Sequence, residues 1–157
     1  MRIAVGSDHA AFDLKATVEQ HLRENGYEVI DLGTNDATTS VDYPDFGAAV
    51  GRAVATGRAE LGVALCGTGI GISIAANKIS GVRAAVITDA TTGRLARQHN
   101  HANVVCLGAR TLGPQTALDA LDSFLHASPE DGRHLNRLAK IAALDDAARL
   151  TTESTEE

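Results

Sequence analysis

The sequence predicts an α/β protein, a three-layer, doubly wound, Rossmann-like fold built on one parallel five-stranded sheet. Short runs rich in Val, Ile and Leu recur five times, and segments with helical periodicity or helix-start signals lie between them. The connections are short, which favours a parallel sheet with helices on both faces. Because crossovers between parallel strands are right-handed, few other topologies remain.

The strand and helix segments can be placed along the chain in order. Strands are predicted at residues 2–6, 27–32, 61–66, 83–88 and 103–107. Leu14, Val18 and Leu22 recur at helical spacing in the first helix, and Pro44 can start a second. Further helices are predicted from the glycine turn to residue 78, up to residue 98, and at 114–125.

A further C-terminal helix follows the last sheet unit. Leu135, Leu138, Ile141 and Leu144 give it an apolar stripe, although no strand remains for it to cover. It packs either on a second subunit or on its own domain. The 157 residues are predicted to form one domain, 1–149, with a disordered polar tail at 150–157.

Composition and charge exclude several classes of function. The net charge is −6, no Lys/Arg run is present, and aromatic residues make up 3%, which argues against nucleic-acid binding. No apolar stretch reaches the roughly 18 residues that a membrane span needs, and the N-terminus does not resemble a signal peptide. Cys66 and Cys106 show no CxxC spacing. We therefore expect a reducing cytoplasm and no membrane partner.

Polar segments follow the predicted strands at residues 7–9, 66–71 and 108–110, and a further one, 97–101, ends the helix after the fourth strand. Ligands of open α/β sheets bind beyond the carboxyl ends of the strands. The segment 66–71, Cys-Gly-Thr-Gly-Ile-Gly, lets the backbone approach a ligand and favours negative charge. The segment lacks the Gly-Lys-Ser/Thr ending of a Walker motif, and it does not follow the first strand, where a dinucleotide-binding fold carries its glycines. Asp31, an acid near the end of the second strand, leaves a dinucleotide site open as a weaker alternative.

Cys66 is the main candidate for chemistry. A cysteine at a helix N-terminus has its thiolate favoured and can act as base or nucleophile, although an isolated cysteine more often packs as a small hydrophobe. Cys106 suits that packing role better. His99 is placed to be a general acid, and His9 to serve an anion. No pair of histidines has the i, i+4 spacing with a third ligand, so no metal is expected.

Three arginines near the C-terminus are candidates for binding an anion: Arg110, Arg133 and Arg137. Arg133 and Arg137 are four residues apart and so share one helix face, from which both can reach one phosphate. A solvated face is an equally good explanation of the pair.

Several separated motifs resemble one family. They are GSDHAAFDLK at 6–15, DYPDF at 42–46, CGTGIGISIAANK at 66–78, RQHN at 97–100, and GRH at 132–134 with Arg137. In this order they resemble the type B ribose-5-phosphate isomerases, within a wider group that includes galactose- and allose-6-phosphate isomerases. The resemblance covers residues 1–149.

The resemblance implies a role for each matching residue. Cys66 would move the proton between C1 and C2, Thr68 and the turn amides would stabilise the enediolate, and His99 would act as acid in opening the sugar ring. Asp8 and Asn100 would hold hydroxyls. The implied substrate-binding residues are Asp8, His9, Gly67, Gly69, Ile70, Gly71, Asn100, Arg110, Arg133 and Arg137.

The resemblance also implies the partners. Ile72 stands where some relatives carry a glutamate base, so the chain resembles the cysteine subtype. We expect a small sugar phosphate as substrate, no cofactor, and a homodimer or dimer of dimers with shared active sites. Ribose 5-phosphate is the first expectation; a tetrose 4-phosphate, allose 6-phosphate or galactose 6-phosphate remains open, since loop 33–43 can reshape the pocket. A non-catalytic nucleotide-binding module is the remaining alternative.

Overall fold

All five predicted strands are present in a computed structural model that describes the backbone of residues 1–153 and the side chains of residues 1–145. The strands are β1 (Arg2–Ser7), β2 (Glu28–Asp31), β3 (Leu61–Cys66), β4 (Ala84–Val86) and β5 (Val104–Gly108). They form one parallel sheet in the order β2-β1-β3-β5-β4. The predicted parallel five-stranded sheet is therefore confirmed.

Six α-helices connect and follow the strands. They are α1 (Phe12–Glu24), α2 (Tyr43–Ala55), α3 (Ile70–Ala76), α4 (Ala90–Asn100), α5 (Pro114–Leu125) and α6 (Arg133–Glu153). Two bounds differ from the prediction in ways that matter for function. Helix α3 ends early because the Asn77 side chain bonds both the N–H and the C=O of Ala84. Helix α4 continues through His99 and Asn100, which therefore lie in its last turn.

The core consists of two buried clusters, one on each face of the sheet. The first joins the sheet to α1, α4 and α5 through side chains such as Leu22, Leu107 and Phe124. The second joins it to α2 and α3 through side chains such as Val50 and Ile72. This arrangement is the expected three-layer, doubly wound fold.

The chain diverges in opposite directions after β1 and β3, which are neighbours in the sheet. From β1 it passes through α1 to β2 on one side, and from β3 it passes through α3 to β4 on the other. A crevice forms at the carboxyl ends of two such strands, because their following loops separate. The segments after Ser7 and after Cys66 both open into it.

Helix α6 lies beyond the sheet and leaves much of its apolar surface uncovered. Leu135, Ile141 and Leu144 are exposed, and the Gly81 N–H donates to Asp145 Oδ2 at 2.9 Å. The helix continues to Glu153, into the segment predicted as a disordered tail; residues 154–157 of that tail lie outside the described residues. Among the helices described, none has the length and apolar character that a membrane span requires.

Candidate active site

A cleft of about 540 Å³ occupies the crevice between the ends of β1 and β3. Its walls come from the segment after β1, the loop before α2, the glycine turn and the loop after β5. The residues that line it are Asp8, His9, Ala10, Ser40, Val41, Asp42, Tyr43, Cys66, Gly67, Thr68, Ile70, Gly71 and Arg110. Eight residues predicted from the sequence therefore lie together in one cleft.

Cys66 ends β3 and lies at the base of the glycine turn. Its side chain is nearly buried, and the Gly69 N–H donates a hydrogen bond to Sγ at 3.1 Å. Gly69 has a φ of 76°, a left-handed conformation that other residues adopt at a cost. This conformation directs the amide back to the sulfur. Thr68 Oγ1 accepts from the Ile70 N–H at 3.2 Å, which orders the exposed side of the turn.

The loop after β5 is hydrogen-bonded to the backbone of the glycine turn. The Ala109 N–H donates to the Cys66 carbonyl at 2.9 Å, and the Arg110 N–H donates to the Gly67 carbonyl at 2.8 Å. A Cβ placed on Gly67 would be 3.1 Å from Arg110 Nη1, so the guanidinium lies directly against the turn. Positive charge is thereby held close to the Cys66 cleft.

The first strand contributes an acid and an imidazole to the opposite wall. Asp8 is buried, and its Oδ1 accepts from the Ala11 N–H at 3.2 Å, which caps a short 3-10 turn at His9–Ala11. His9 Nδ1 accepts from the Val41 N–H at 3.2 Å. Because Nδ1 acts as acceptor, we assign the proton of the neutral ring to Nε2, which leaves that N–H free to bind an anion.

An ion pair at the end of β2 anchors the start of loop 33–43. Asp31 Oδ1 accepts from Lys15 Nζ at 2.6 Å and from the Gly33 N–H at 2.8 Å. Although partial burial alone would raise it, the pKa of Asp31 lies below its usual value because these two donors stabilise the carboxylate. Asp31, the residue that left a dinucleotide site open in the sequence, is thus engaged in structural contacts instead.

Of the other five predicted site residues, Gly69 lies within the glycine turn, whereas four lie away from this cleft: His99, Asn100, Arg133 and Arg137. They lie at the end of α4 and the start of α6, where the rings of His99 and His134 stack at a centroid distance of 4.3 Å. The predicted site therefore consists of two groups within one chain, a cysteine group around Cys66 and a histidine group around His99.

The histidine group contains a third titratable side chain, Glu130. Its Oε2 lies 3.8 Å from His99 Nε2 and 3.9 Å from His134 Nε2. Burial, together with electrostatic interactions with His99 and Arg133, lowers the pKa of His134. These three residues could hold a metal ion. Histidine spacing in the sequence gives no signal for this cluster, because one i, i+4 partner is a glutamate.

Sequence reasoning also missed the segment 40–43 as part of the cleft. A Cβ on Gly71 would approach the Tyr43 ring to 2.5 Å, so the phenol lies tightly against the glycine turn. The available signal was the DYPDF motif, where a polar loop ends at a helix-starting proline beside an aromatic residue.

The other cysteine and the residue at the alternative base position are both internal. Cys106 has no solvent exposure, and burial, with a smaller contribution from Cys66, raises the pKa of its thiol. Ile72 is likewise fully buried, in the cluster between the sheet and α2. Cys66 thus differs from Cys106 in facing a cleft.

Fold and cleft together define an α/β protein with a small polar ligand site at the switch point of its sheet. A protein-family model described as "Ribose/Galactose Isomerase" matches residues 3–141. The chain belongs to this family.

Individual relatives agree with that assignment. The chain is 44% identical over 144 residues to ribose-5-phosphate isomerase B of Escherichia coli K12, which covers 92% of this chain and 96% of the relative. Its fold is similar to that of ribose-5-phosphate isomerase B from Clostridium thermocellum, with a TM-score of 0.92 and 47% identity over 94% of this chain and 99% of that one. A Mycoplasma genitalium homologue, solved with bound ribulose-5-phosphate, has a TM-score of 0.88 and 40% identity, covering 92% and 96% of the two chains.

Proposed function

We propose that this chain interconverts D-ribose 5-phosphate and D-ribulose 5-phosphate through a cis-enediolate, with Cys66 as the base. The observation that carries the proposal is the position of Cys66 in the cleft, with its Sγ accepting from the Gly69 N–H at the base of the glycine turn. The reaction moves a proton between C2 and C1 of the open-chain sugar. It requires a base on one face of these carbons and donors for the oxygen that becomes negative.

The residues of the cleft can carry out each step of the proton transfer. The Cys66 thiolate removes the proton from C2 of the aldose, and the C1 carbonyl oxygen gains the charge. The turn amides and the Thr68 hydroxyl donate hydrogen bonds to the enediolate, which replaces the hydration that the charge loses. The proton of the C2 hydroxyl passes to the negatively charged C1 oxygen, the thiol returns its proton to C1, and the oxygen on C2 becomes the ketose carbonyl. The thiolate is regenerated, so no external oxidant or reductant is needed.

The phosphate is assigned to the other end of the cleft. His9 Nε2–H is a free donor there, and the Arg110 guanidinium can form a charge-assisted pair with a phosphate oxygen. Asp8 would accept from a sugar hydroxyl. This division leaves the glycine turn to bind the enediolate rather than the phosphate.

The histidine group is proposed to complete the cleft of a second copy of the chain, in a homodimer or dimer of dimers. His99 would then open the sugar ring, Asn100 would hold a hydroxyl, and Arg133 and Arg137 would reach the phosphate. Two features support this: the four residues lie outside the chain's own Cys66 cleft, and exposed apolar side chains lie on α3 and α6. Those side chains are Ile70, Ile74, Leu135, Ile141 and Leu144.

The proposed substrate is a phosphorylated metabolite, so we place the enzyme in the cytoplasm, in pentose phosphate metabolism. A second sugar remains a specific alternative, because loop residues 40–43 line the cleft and can alter its length. Galactose 6-phosphate, allose 6-phosphate and a tetrose 4-phosphate are the competitors. The ratio of kcat/KM values across this panel decides between them.

Substitution of Cys66 tests the assigned base. Cys66→Ala should lower kcat by about 10²–10⁴-fold, the usual contribution of a positioned acid–base group. Binding of ribose 5-phosphate, measured by calorimetry, should be largely unchanged, because the phosphate contacts remain. Cys106→Ala is the matched control, since this cysteine lies in the core of the same fold, and it should retain kcat. Full activity in Cys66→Ala would remove the assigned base.

A further inference from the structure

Lys15 is a buried cation that takes no part in the chemistry proposed above. It lies on α1, its side chain is only 4% exposed, and its Nζ lies 6.0 Å from the centre of the Phe12 ring. A buried ion pair is weak evidence for stability, because apolar side chains of similar volume often stabilise a fold equally well or better. The burial of this ammonium is therefore better explained by what its contacts hold in place.

Lys15 contacts two carboxylates that belong to different parts of the fold. Its Nζ donates to Asp31 Oδ1 at 2.6 Å and lies 3.6 Å from Glu19 Oε1. Glu19 is four residues further along the same helix, and its Oε2 pairs with Arg23 at 3.2 Å. Asp31 is the last residue of β2, directly before the loop that lines the cleft. The contact with Asp31 therefore connects helix α1 to that loop.

Asp31 in turn holds the start of the loop against the end of β1. Its Oδ1 also accepts from the Gly33 N–H at 2.8 Å. The Gly33 carbonyl accepts from the Ser7 N–H at 2.8 Å, and the Thr34 N–H donates to the Ser7 carbonyl at 2.9 Å. Ser7 lies two residues before His9. The loop therefore starts beside the segment that carries this imidazole.

The far end of the loop contacts the imidazole itself. The Val41 N–H donates to His9 Nδ1 at 3.2 Å. Between its two ends the loop is bonded internally, because Asp36 Oδ1 accepts from the N–H and the hydroxyl of Thr38, both at 2.7 Å, and Oδ2 accepts from the Thr39 hydroxyl. A displacement at the start of the loop is therefore passed on to the Val41 amide.

We propose that Lys15 is a positioning residue for His9. Through Asp31 it fixes the start of loop 33–43, and the far end of that loop holds the His9 ring with Nδ1 as acceptor and the Nε2–H available to an anion. Lys15 does not line the cleft, so it acts through these contacts. The effect on substrate binding rests on the proposed function, in which His9 binds the phosphate, whereas the orientation of the ring does not.

The first measurement follows the His9 ring in the free enzyme. Lys15→Met is made together with Glu19→Gln, so that no buried carboxylate loses its cation. Glu19→Gln alone is the matched control, because it keeps the contact between Lys15 and Asp31. Nitrogen–proton correlation NMR, at a pH where the ring is neutral, should show the proton on Nε2 in the unaltered chain and in this control.

The altered ion pair should change that spectrum. The variant that carries both Lys15→Met and Glu19→Gln should show a mixture of the two His9 tautomers, because the Val41 amide no longer stays at Nδ1. Asp31→Ala, which leaves Lys15 beside Glu19, should have the same effect. Loss of the signals in His9→Ala assigns them. A ring that keeps its proton on Nε2 in both altered proteins, each folded by circular dichroism, would overturn the proposal.

Steady-state kinetics provide the second measurement. Relative to Glu19→Gln, the additional Lys15→Met should raise KM for ribose 5-phosphate by about three- to tenfold, the coupling expected of residues that share one network. The change in kcat should be smaller. On a His9→Ala background the same substitution should have little further effect, because a misplaced ring and an absent ring lack the same contact.

The outcomes separate this proposal from the proposed function. Equal increases in KM with and without His9 would show a purely structural role for Lys15 and overturn the proposal. A changed tautomer with an unchanged KM would support the positioning role and would instead remove His9 from the phosphate site.

Discussion

At the scale of the residue, the surroundings of the two cysteines decide which one can take part in chemistry. Cys66 and Cys106 lie on adjacent strands and both are buried, but Cys66 lines a cleft and receives an amide hydrogen bond at its sulfur. The sequence predicted this difference because Cys66 precedes glycines and Cys106 is enclosed by Val and Leu. It could not predict that His9 is oriented by the Val41 amide, since a loop contact 32 residues away leaves no local signal.

His9 provides the residue-scale test of the phosphate end. His9→Ala should raise KM for the sugar phosphate about tenfold or more, because a hydrogen bond to a charged group contributes about 1.5–3 kcal/mol. The decrease in kcat should be smaller, since the base is untouched. Steady-state kinetics give both parameters. His126→Ala, an exposed histidine elsewhere, should leave KM unchanged; an unaltered KM in His9→Ala would remove the residue from the phosphate site.

At the scale of the element, periodicity predicted most of the fold. The strongly patterned β3 and α5 match their predicted bounds. The ends of α3 and α4 differ from the prediction. The Asn77 side chain, bonded to the backbone of Ala84, ends α3, and His101, in a left-handed conformation with its ring bonded to the Glu130 carbonyl, ends α4. The two-group arrangement of the site follows from this, because His99 belongs to a helix rather than to a loop at the cleft.

Substitution of Asp31 tests how the end of β2 anchors the loop that lines the cleft. Asp31→Asn should destabilise the fold by about 1–3 kcal/mol, because Lys15 is buried and loses its closest partner. The folded-state pKa of Asp31 lies below its usual value. Its contribution is therefore fully present above the unfolded-state pKa and is lost as pH falls through the folded-state pKa.

Denaturant unfolding between neutral and acidic pH provides the measurement. The difference in unfolding free energy between the two proteins should shrink as the pH falls through that range. Asp119→Asn, an exposed aspartate in α5, is the control and should change stability little. A difference that stays constant with pH would contradict the role of the ion pair.

At the scale of the whole molecule, the proposed site requires two chains. Sequence patterns predicted a helix with no strand to cover, and the structure gives α6 an exposed apolar surface. The partner of that surface is not encoded in any local pattern, so the shared site remains a proposal. A symmetric dimer would form two equivalent sites, each with Cys66 from one chain and His99 from the other.

Mixing two inactive variants tests that arrangement. Cys66→Ala and His99→Ala should each have low activity. Equal amounts, dissociated and reassembled together, form mixed dimers in about half of the cases, and each mixed dimer holds one intact site. About a quarter of the full activity should therefore return. If Cys66 and His99 acted within one chain, no intact site could form and mixing would restore nothing.

The central claim is proton transfer through an enediolate at the Cys66 cleft, and isomerisation in deuterium oxide tests it most directly. Ribulose 5-phosphate formed from ribose 5-phosphate should carry solvent deuterium at C1, because the thiol exchanges its proton before returning it. Nuclear magnetic resonance of the product measures this label, and Cys66→Ala should show neither label nor turnover. Product that forms at full rate without deuterium at C1 would indicate direct hydride transfer and contradict the account.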